Sequence, residues 1–292
     1  MAPKSSGTGL LAVALGVALL GLAGCRNGTP SVSDRPRIGD NMVLRDVTFY
    51  SKSLARQMPY RAVLPASIVQ DRKLAVVYLL HGSGGSFRDW SNYSDVARLG
   101  NPGLILIMPE GDYSYYLNAV DPPGNRYEDY IVQDLLSDVE ARFPVAKDRA
   151  NRAVVGVSMG GFGAVKIALS HPDLFVFAGG LSPAIDVARR RFSIRRIQQY
   201  RALSAIFGPP GSTTRRDNDP FTVAQSVDAP AAPYLFLTCG ASEGLLAPNR
   251  EFAAVLEERR IKYEFHVVPG DHDWNQWNRE LPGVFAALGN NK

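Results

Sequence analysis

The segment Arg152-Ala-Val-Val-Gly-Val-Ser-Met-Gly-Gly-Phe-Gly163 places Ser158 inside Gly156-x-Ser158-x-Gly160. A serine held this way at a sharp strand-to-helix turn is a nucleophile elbow. The turn is too tight for side chains at the flanking positions, so glycine occupies them and the hydroxyl is pushed above the sheet edge. A helix starting near Gly160 also aims its unpaired N–H groups and positive dipole end at that hydroxyl, which favours a developing oxyanion. The bare pentapeptide arises by chance, so its surroundings decide. Ala153–Val157 is a short buried-strand pattern, Phe162–Leu169 has helical spacing, and His171-Pro172 stops that helix. The chemistry indicated is nucleophilic attack by serine, as in a serine hydrolase.

A serine hydroxyl needs a base, and the base needs a carboxylate to fix its tautomer and stabilise its charge. On an elbow scaffold the three occur in the order serine, acid, histidine. The chain has 4 histidines. His81 and His171 lie too early or too near the elbow, and His266 sits within the strand pattern Tyr263–Val268, where a structural role is expected. His272 follows Pro269-Gly-Asp271 in a loop after that last strand, and is the expected base. Glu243 is the only carboxylate of the loop Cys239-Gly-Ala-Ser-Glu243-Gly-Leu-Leu246, and is the expected acid. Asp228 precedes the adjoining strand, while Asp271 and Asp273 flank the base and would orient its ring poorly. The oxyanion requires two aimed backbone N–H groups. Met159, next to the nucleophile, supplies one. Ser83 in Tyr78-Leu-Leu-His-Gly-Ser-Gly-Gly85 supplies the other, with Gly82 the next choice.

The elements needed to position these groups are legible as periodic runs. Strands are expected over Met42–Tyr50, Met58–Leu64, Leu74–Leu80, Leu104–Met108, Ala153–Val157, Phe175–Leu181, Tyr234–Thr238 and Tyr263–Val268. Helices are expected over Tyr127–Phe143, Glu251–Arg260 and Trp274–Leu288. Two early strands followed by strand–helix alternation imply a mostly parallel sheet with an antiparallel start and helices on both faces. With the elbow, this is the α/β-hydrolase fold, in a single catalytic domain over residues 41–289. The basic stretch Arg189–Phe207 interrupts the alternation. It reads as a solvated helix packed over the top edge of the sheet, or alternatively as a cap whose arginines meet an anionic surface or substrate.

At 292 residues, with 46% hydrophobic and 21% charged content and a net charge of +4, the composition is that of a globular chain. The cationic residues lack interleaved aromatics and a recognition motif, so nucleic acid is not an expected partner. Metal-ligand spacings are not seen, and neither a metal nor an organic cofactor is expected. Residues 1–24 read as a secretory signal: Lys4, an apolar run Leu10–Leu22, then Ala23-Gly24. The run is shorter than the roughly 20 residues of a membrane span. Leu22-Ala-Gly-Cys25 resembles a bacterial lipobox, implying cleavage before Cys25 and its lipidation, and so a membrane partner. The resemblance to lipoproteins of double-membraned bacteria, with Arg26 and not Asp after the cysteine, then implies sorting to the outer membrane, facing the periplasm. Residues 25–40, rich in Pro, Ser and Gly, read as a tether. The remaining cysteine, Cys239, ends an apolar run and is expected to be a small buried residue.

Taken together, Tyr-Leu-Leu-His-Gly-Ser-Gly-Gly85 with Asp89-Trp90, Met108-Pro-Glu-Gly-Asp112, Gly-Val-Ser-Met-Gly-Gly161 and Pro269-Gly-Asp-His-Asp-Trp-Asn-Gln-Trp277 resemble the esterase D-type α/β-hydrolases. That superfamily includes S-formylglutathione hydrolases, feruloyl and acetyl-xylan esterases, and mycolyltransferase antigens. The resemblance runs from about Val43 to Leu288. It implies the nucleophile at Ser158, the acid at Glu243, the base at His272, and oxyanion donors at Ser83 and Met159. It also implies that Tyr113, Tyr115 and Tyr116 line the acyl or leaving-group pocket, where simple packing of an aromatic loop is the alternative. The family usually has Asp where Glu243 stands. The expected function is a serine carboxylesterase acting on short-chain or aryl esters or acylated carbohydrates. An envelope acyltransferase, an S-formylglutathione hydrolase and a non-catalytic binding protein on the same fold are the alternatives, and the export signal opposes the second.

Overall fold

The computed structural model describes residues 34–99, 103–190 and 197–291. Its strands are β1 Met42–Ser51, β2 Arg56–Pro65, β3 Ala75–Leu80, β4 Leu104–Pro109, β5 Arg152–Val157, β6 Phe177–Leu181, β7 Tyr234–Gly240 and β8 Tyr263–Val268. The helices are α1 Asp89–Tyr93, α2 Tyr127–Asp129, α3 Leu136–Arg142, α4 Met159–Ser170, α5 Ile197–Phe207, α6 Thr213–Asp217, α7 Pro220–Ser226, α8 Leu246–Glu258 and α9 Trp274–Asn290.

All eight strands join one sheet in the order β1-β2-β4-β3-β5-β6-β7-β8. The β1–β2 hairpin and the β2–β4 pair are antiparallel, and every later pairing is parallel. Every residue of β3, β4 and β5 is buried, so their sequences run apolar without alternation, as strands covered on both faces must. The period of two then sorts the side chains between two cores. Val76, Tyr78 and Leu80 of β3 join Ile105, Ile107 and Val154 beneath α3, α4, α7 and α8. Val77, Leu79, Leu106 and Val155 face the other way, onto Trp90 of α1 and Trp277, Leu281, Val284 and Leu288 of α9. The α/β-hydrolase architecture expected from the order of elements is therefore the one present.

The departures are local. The expected helix 127–143 is broken by a wider π-type turn over Tyr130–Leu135, between α2 and α3. The expected strand at 175–181 begins at Phe177, although Phe175 is buried just before it. Helix α8 starts at Leu246, five residues ahead of expectation. Pro248 hid that start, yet proline is tolerated in a first turn, where no N–H partner is needed. Helix α9 continues to Asn290 and carries Pro282 within it.

The signal, the lipobox Cys25 and most of the tether lie outside the described residues. Residues 34–40, expected to be tether, hold to the domain. Asp34 pairs with Arg61 at 2.7 Å, and the Arg37 N–H donates to Ser91 O at 2.7 Å. Of the basic stretch, 191–196 lie outside the described residues. Residues 197–207 form α5, with Leu203, Ile206 and Phe207 buried, while Arg190 and Gln199 reach a cleft over Ser158.

Candidate active site

The elbow begins with sterics. Ser158 has φ +56° and ψ −113°, a backbone state that a serine occupies only when its surroundings impose it. The backbone of Gly160 packs directly under Gly156, and the carbonyls of Leu80 and His81 crowd Gly160; a Cβ on either glycine would overlap main chain. Hydrogen bonds pin the strained residue. Its N–H donates to Leu181 O at 2.9 Å, and its carbonyl accepts from Phe162 N at 3.0 Å and Ala184 N at 3.1 Å. Met159 opens α4, so its N–H belongs to the first turn and has no intrahelical acceptor.

The loop after β8 brings His272 over this turn. His272 Nε2 lies 2.8 Å from Ser158 Oγ, and Nδ1 lies 2.7 Å from Glu243 Oε2. The carboxylate accepts a hydrogen bond from Nδ1–H, which fixes the tautomer that leaves Nε2 free to accept from the serine. The three side chains come from loops after β5, β7 and β8, at one end of the sheet. The His272 side chain is 39% exposed whereas that of Glu243 is only 2% exposed, so the imidazole meets solvent and the carboxylate does not.

The buried acid is held from behind. Its Oε1 accepts from Ser182 Oγ at 2.6 Å, Gly240 N at 2.7 Å and Gln276 Nε2 at 3.1 Å. Ser182 Oγ in turn accepts from Trp277 Nε1 at 3.1 Å and Gln276 Nε2 at 3.2 Å. Burial disfavours the Glu243 charge, but the bonds from His272, Ser182 and the Gly240 N–H outweigh it and hold the carboxyl below its usual range. The Trp277 indole also meets the His272 ring edge-on, with centroids 5.1 Å apart. This network accommodates a glutamate where the resemblance expects aspartate. Sequence reasoning missed Ser182, Gln276 and Trp277. The last two sit one helical turn beyond His272, inside a motif already noted, and that spacing was the available signal. Ser182 carried none.

A cleft of about 560 Å³ opens over Ser158 and His272, lined also by Ser83, Tyr113, Tyr115, Ala184, Arg190 and Gln199. Ser83 is therefore beside the nucleophile, and the neighbouring Gly82 packs against the Ser158 side chain. Tyr113 is exposed at the rim and its ring meets Tyr115 at 5.6 Å; Tyr115 packs in turn on Phe162 and Phe207. Tyr116 departs from expectation. It is wholly buried beneath α4, with its hydroxyl donating to His81 O at 3.1 Å, and does not line the cleft. The Tyr116 ring fits there because Gly111 and Gly163 leave room for it; a Cβ on either would overlap the ring.

The other histidines are occupied elsewhere. His171 pairs with Glu128 at 2.9 Å and His266 with Glu264 at 2.9 Å, while His81 is buried against Glu110 at 3.0 Å. Asp273 caps α9 by accepting from Gln276 N at 2.9 Å. Cys239 is fully buried, and burial together with the Glu243 charge pushes its thiol up to about 12, so it is no nucleophile at neutral pH.

The esterase family model matches residues 51–288. The chain belongs to the esterase family. It is 24% identical over 262 residues to an acetyl esterase of Caldicellulosiruptor saccharolyticus, covering 85% of this chain and 98% of that protein. It is 26% identical over 249 residues to the diacylglycerol acyltransferase/mycolyltransferase Ag85B of Mycobacterium leprae, covering 73% of this chain and 75% of that one. Among solved structures, the fluorophosphonate-binding serine hydrolase FphF of Staphylococcus aureus superimposes with a TM-score of 0.74 at 26% identity, over 85% of this chain and 98% of that one. This esterase is accordingly an enzyme, a serine hydrolase acting on carboxylic ester bonds.

Proposed function

We propose that the esterase works through a Ser158–His272–Glu243 triad and an acyl-enzyme, on short-chain or aryl esters or on acylated carbohydrates. His272 Nε2 accepts the Ser158 proton as Oγ attacks the ester carbonyl, and the N–H groups of Met159 and Ser83 receive the oxyanion. The imidazolium, stabilised by Glu243, returns the proton to the departing alcohol. A water then enters, gives its proton to His272 and cleaves the acyl-serine, so that acid leaves and the hydroxyl is restored. The observation that carries this reading is the continuous contact from serine to imidazole to carboxylate, 2.8 Å and then 2.7 Å.

Tyr113 and Tyr115 are the proposed wall for an aryl or sugar group, since their rings supply a flat apolar face at the cleft. A panel of p-nitrophenyl esters of increasing acyl length, with feruloyl and acetylated sugar esters, tests the substrate class. Turnover of the short and aryl members is expected, and its absence across the panel would remove the reading. The resemblance to an acyltransferase, together with the open cleft, supports transfer to an alcohol as a second reading. Adding a sugar or glycerol acceptor and analysing the products separates the two, because hydrolysis delivers the acyl group as free acid and transfer delivers it as a new ester.

The Leu-Ala-Gly-Cys25 sequence supports a lipid anchor at Cys25, with the domain in the bacterial cell envelope. Metabolic labelling with a radioactive fatty acid is expected to mark the wild type and to be lost in Cys25→Ser.

A further inference from the structure

Behind the cleft lies a buried charged pair that the proposed mechanism does not use. His81 follows β3 and is completely buried. Its Nδ1 lies 2.8 Å from Gly82 O, and its Nε2 lies 3.0 Å from Glu110 Oε1. A carbonyl can only accept, so Nδ1 carries a proton. Glu110 Oε1 also accepts from the backbone N–H groups of Gly111 and Asp112, each at 3.1 Å, and Oε2 accepts from Phe87 N at 3.3 Å. A carboxyl that receives that many N–H groups is ionised, and an ionised oxygen facing Nε2 requires a proton there too. The Gly111 N–H points both at Nε2, 2.9 Å away, and at Glu110 Oε1, 3.1 Å away. An imidazolium is the form in which Gly82 O and Glu110 Oε1 each receive a ring proton, the Gly111 N–H then going to the carboxylate.

The carbonyl that this cation grips is half of a planar trans peptide. The other half is the Ser83 N–H, which points the opposite way from the Gly82 oxygen. Holding the oxygen against His81 turns the Ser83 N–H away from the core, on the side of the cleft that Ser83 shares with Ser158. The same oxygen also accepts from Gly85 N at 3.1 Å, so the 82–85 turn and the His81 ring hold this peptide together.

We propose that His81, kept as an imidazolium by Glu110, is a positioning residue that locks the 82–83 peptide with its N–H presented to the oxyanion. The inference rests on the acyl-transfer reading, and adds a protonation requirement distinct from that of His272. The ionisable groups facing the ring are Glu110 and Asp112 after β4, Asp89 of α1, and the Tyr116 phenol edge-on at 5.9 Å. Burial opposes the cation, but the bond and charge of Glu110 and the Gly82 carbonyl raise His81 above the usual histidine range. A raised value keeps the lock closed at neutral pH and opens it as pH rises, so activity acquires an alkaline limb.

Two measurements on the full-length esterase test this. Nitrogen-15 NMR of the His81 ring at pH 7 is expected to show both nitrogens protonated; a neutral tautomer overturns the proposal and needs no variant to fold. For p-nitrophenyl acetate, Glu110→Gln is expected to lower kcat about 10- to 100-fold, with KM within about twofold, since one of two oxyanion donors is loosened rather than deleted. Its alkaline limb should move to lower pH, because the cation has lost its counter-charge. A lowered melting temperature with unchanged kcat and an unchanged pH profile would make the pair merely structural. Ser158→Ala run in parallel separates the failures. If it retains turnover, the acyl-transfer reading has failed; if it is inactive while Glu110→Gln matches wild type, only the role of His81 has.

Discussion

The two sides of the catalytic centre are built by different physics. On the nucleophile side, Ser158 is forced into place by main-chain crowding around Gly156 and Gly160, at the start of the buried helix α4. On the acid–base side, His272 sits in an exposed loop and is aimed by hydrogen bonds relayed through Glu243, Ser182, Gln276 and Trp277. Steric placement tolerates no added atom. Polar placement tolerates adjustment, which lets a glutamate reach the imidazole at a position where the resemblance expects aspartate. The lesson is that the nucleophile is announced by a dozen consecutive residues, even though β3 and β6 crowd and pin it, whereas the setting of the acid is announced only by contacts between β6, β7 and α9.

The comparison breaks most sharply at Gly160→Ala. The added methyl would meet the Leu80 and His81 carbonyls, which belong to main chain and cannot move aside. A loss of at least about 100-fold in kcat/KM is expected, with destabilisation of about 3 kcal/mol or more by strain in a packed core. Steady-state kinetics and thermal unfolding read both.

On the polar side a graded loss is expected. Glu243→Asp withdraws the carboxylate by one methylene, so it cannot reach both His272 and the Ser182–Gly240 cradle; kcat should fall about 10- to 100-fold with the fold intact. Ser182→Ala leaves the buried Gln276 and Trp277 donors without their shared acceptor, costing about 1–3 kcal/mol of stability and a smaller part of kcat.

The pH dependence of stability sharpens the contrast further. Glu243 is held below the usual carboxyl range in the folded state. Its bonds therefore stabilise fully above the unfolded carboxyl's value and are lost as pH falls through the folded one. Thermal melts from pH 7 down to about pH 3 should show wild type losing its advantage over Glu243→Gln at the acid end, the range in which free carboxyls protonate. The smallest effect belongs to Asp271→Asn. This exposed neighbour of the base makes no side-chain bond to it among the described residues, and kcat should change less than about twofold.

How much of this was legible follows the same division. The unbroken apolar runs of β3, β4 and β5 declared strands covered on both faces, and the elbow was visible because its glycines have a local steric cause. His272 was legible from its place after the last parallel strand, and Glu243 because its loop holds no other carboxylate. Long-range polar contacts leave no periodic trace, so Ser182, at the end of β6, passed unnoticed until β6 and β7 were seen side by side. Tyr116 was misassigned because three tyrosines in four residues look alike in sequence. What separates them is packing: the Tyr116 ring lies under Gly163 of α4 with its hydroxyl on His81 O, while Tyr113 and Tyr115 remain at the cleft. The start of α8 was hidden by Pro248, whose effect depends on whether it stands in a first turn or an interior.

The central claim is that an acyl group passes through Ser158 Oγ. It is tested most directly by rapid acid quenching of the esterase during turnover of p-nitrophenyl acetate, followed by mass spectrometry of its peptides. The account predicts a single acetyl group on the peptide bearing Ser158, absent from Ser158→Ala, which should have lost at least about 10⁴-fold in kcat. Acetyl on another residue, or Ser158→Ala turning over at the wild-type rate, would contradict it.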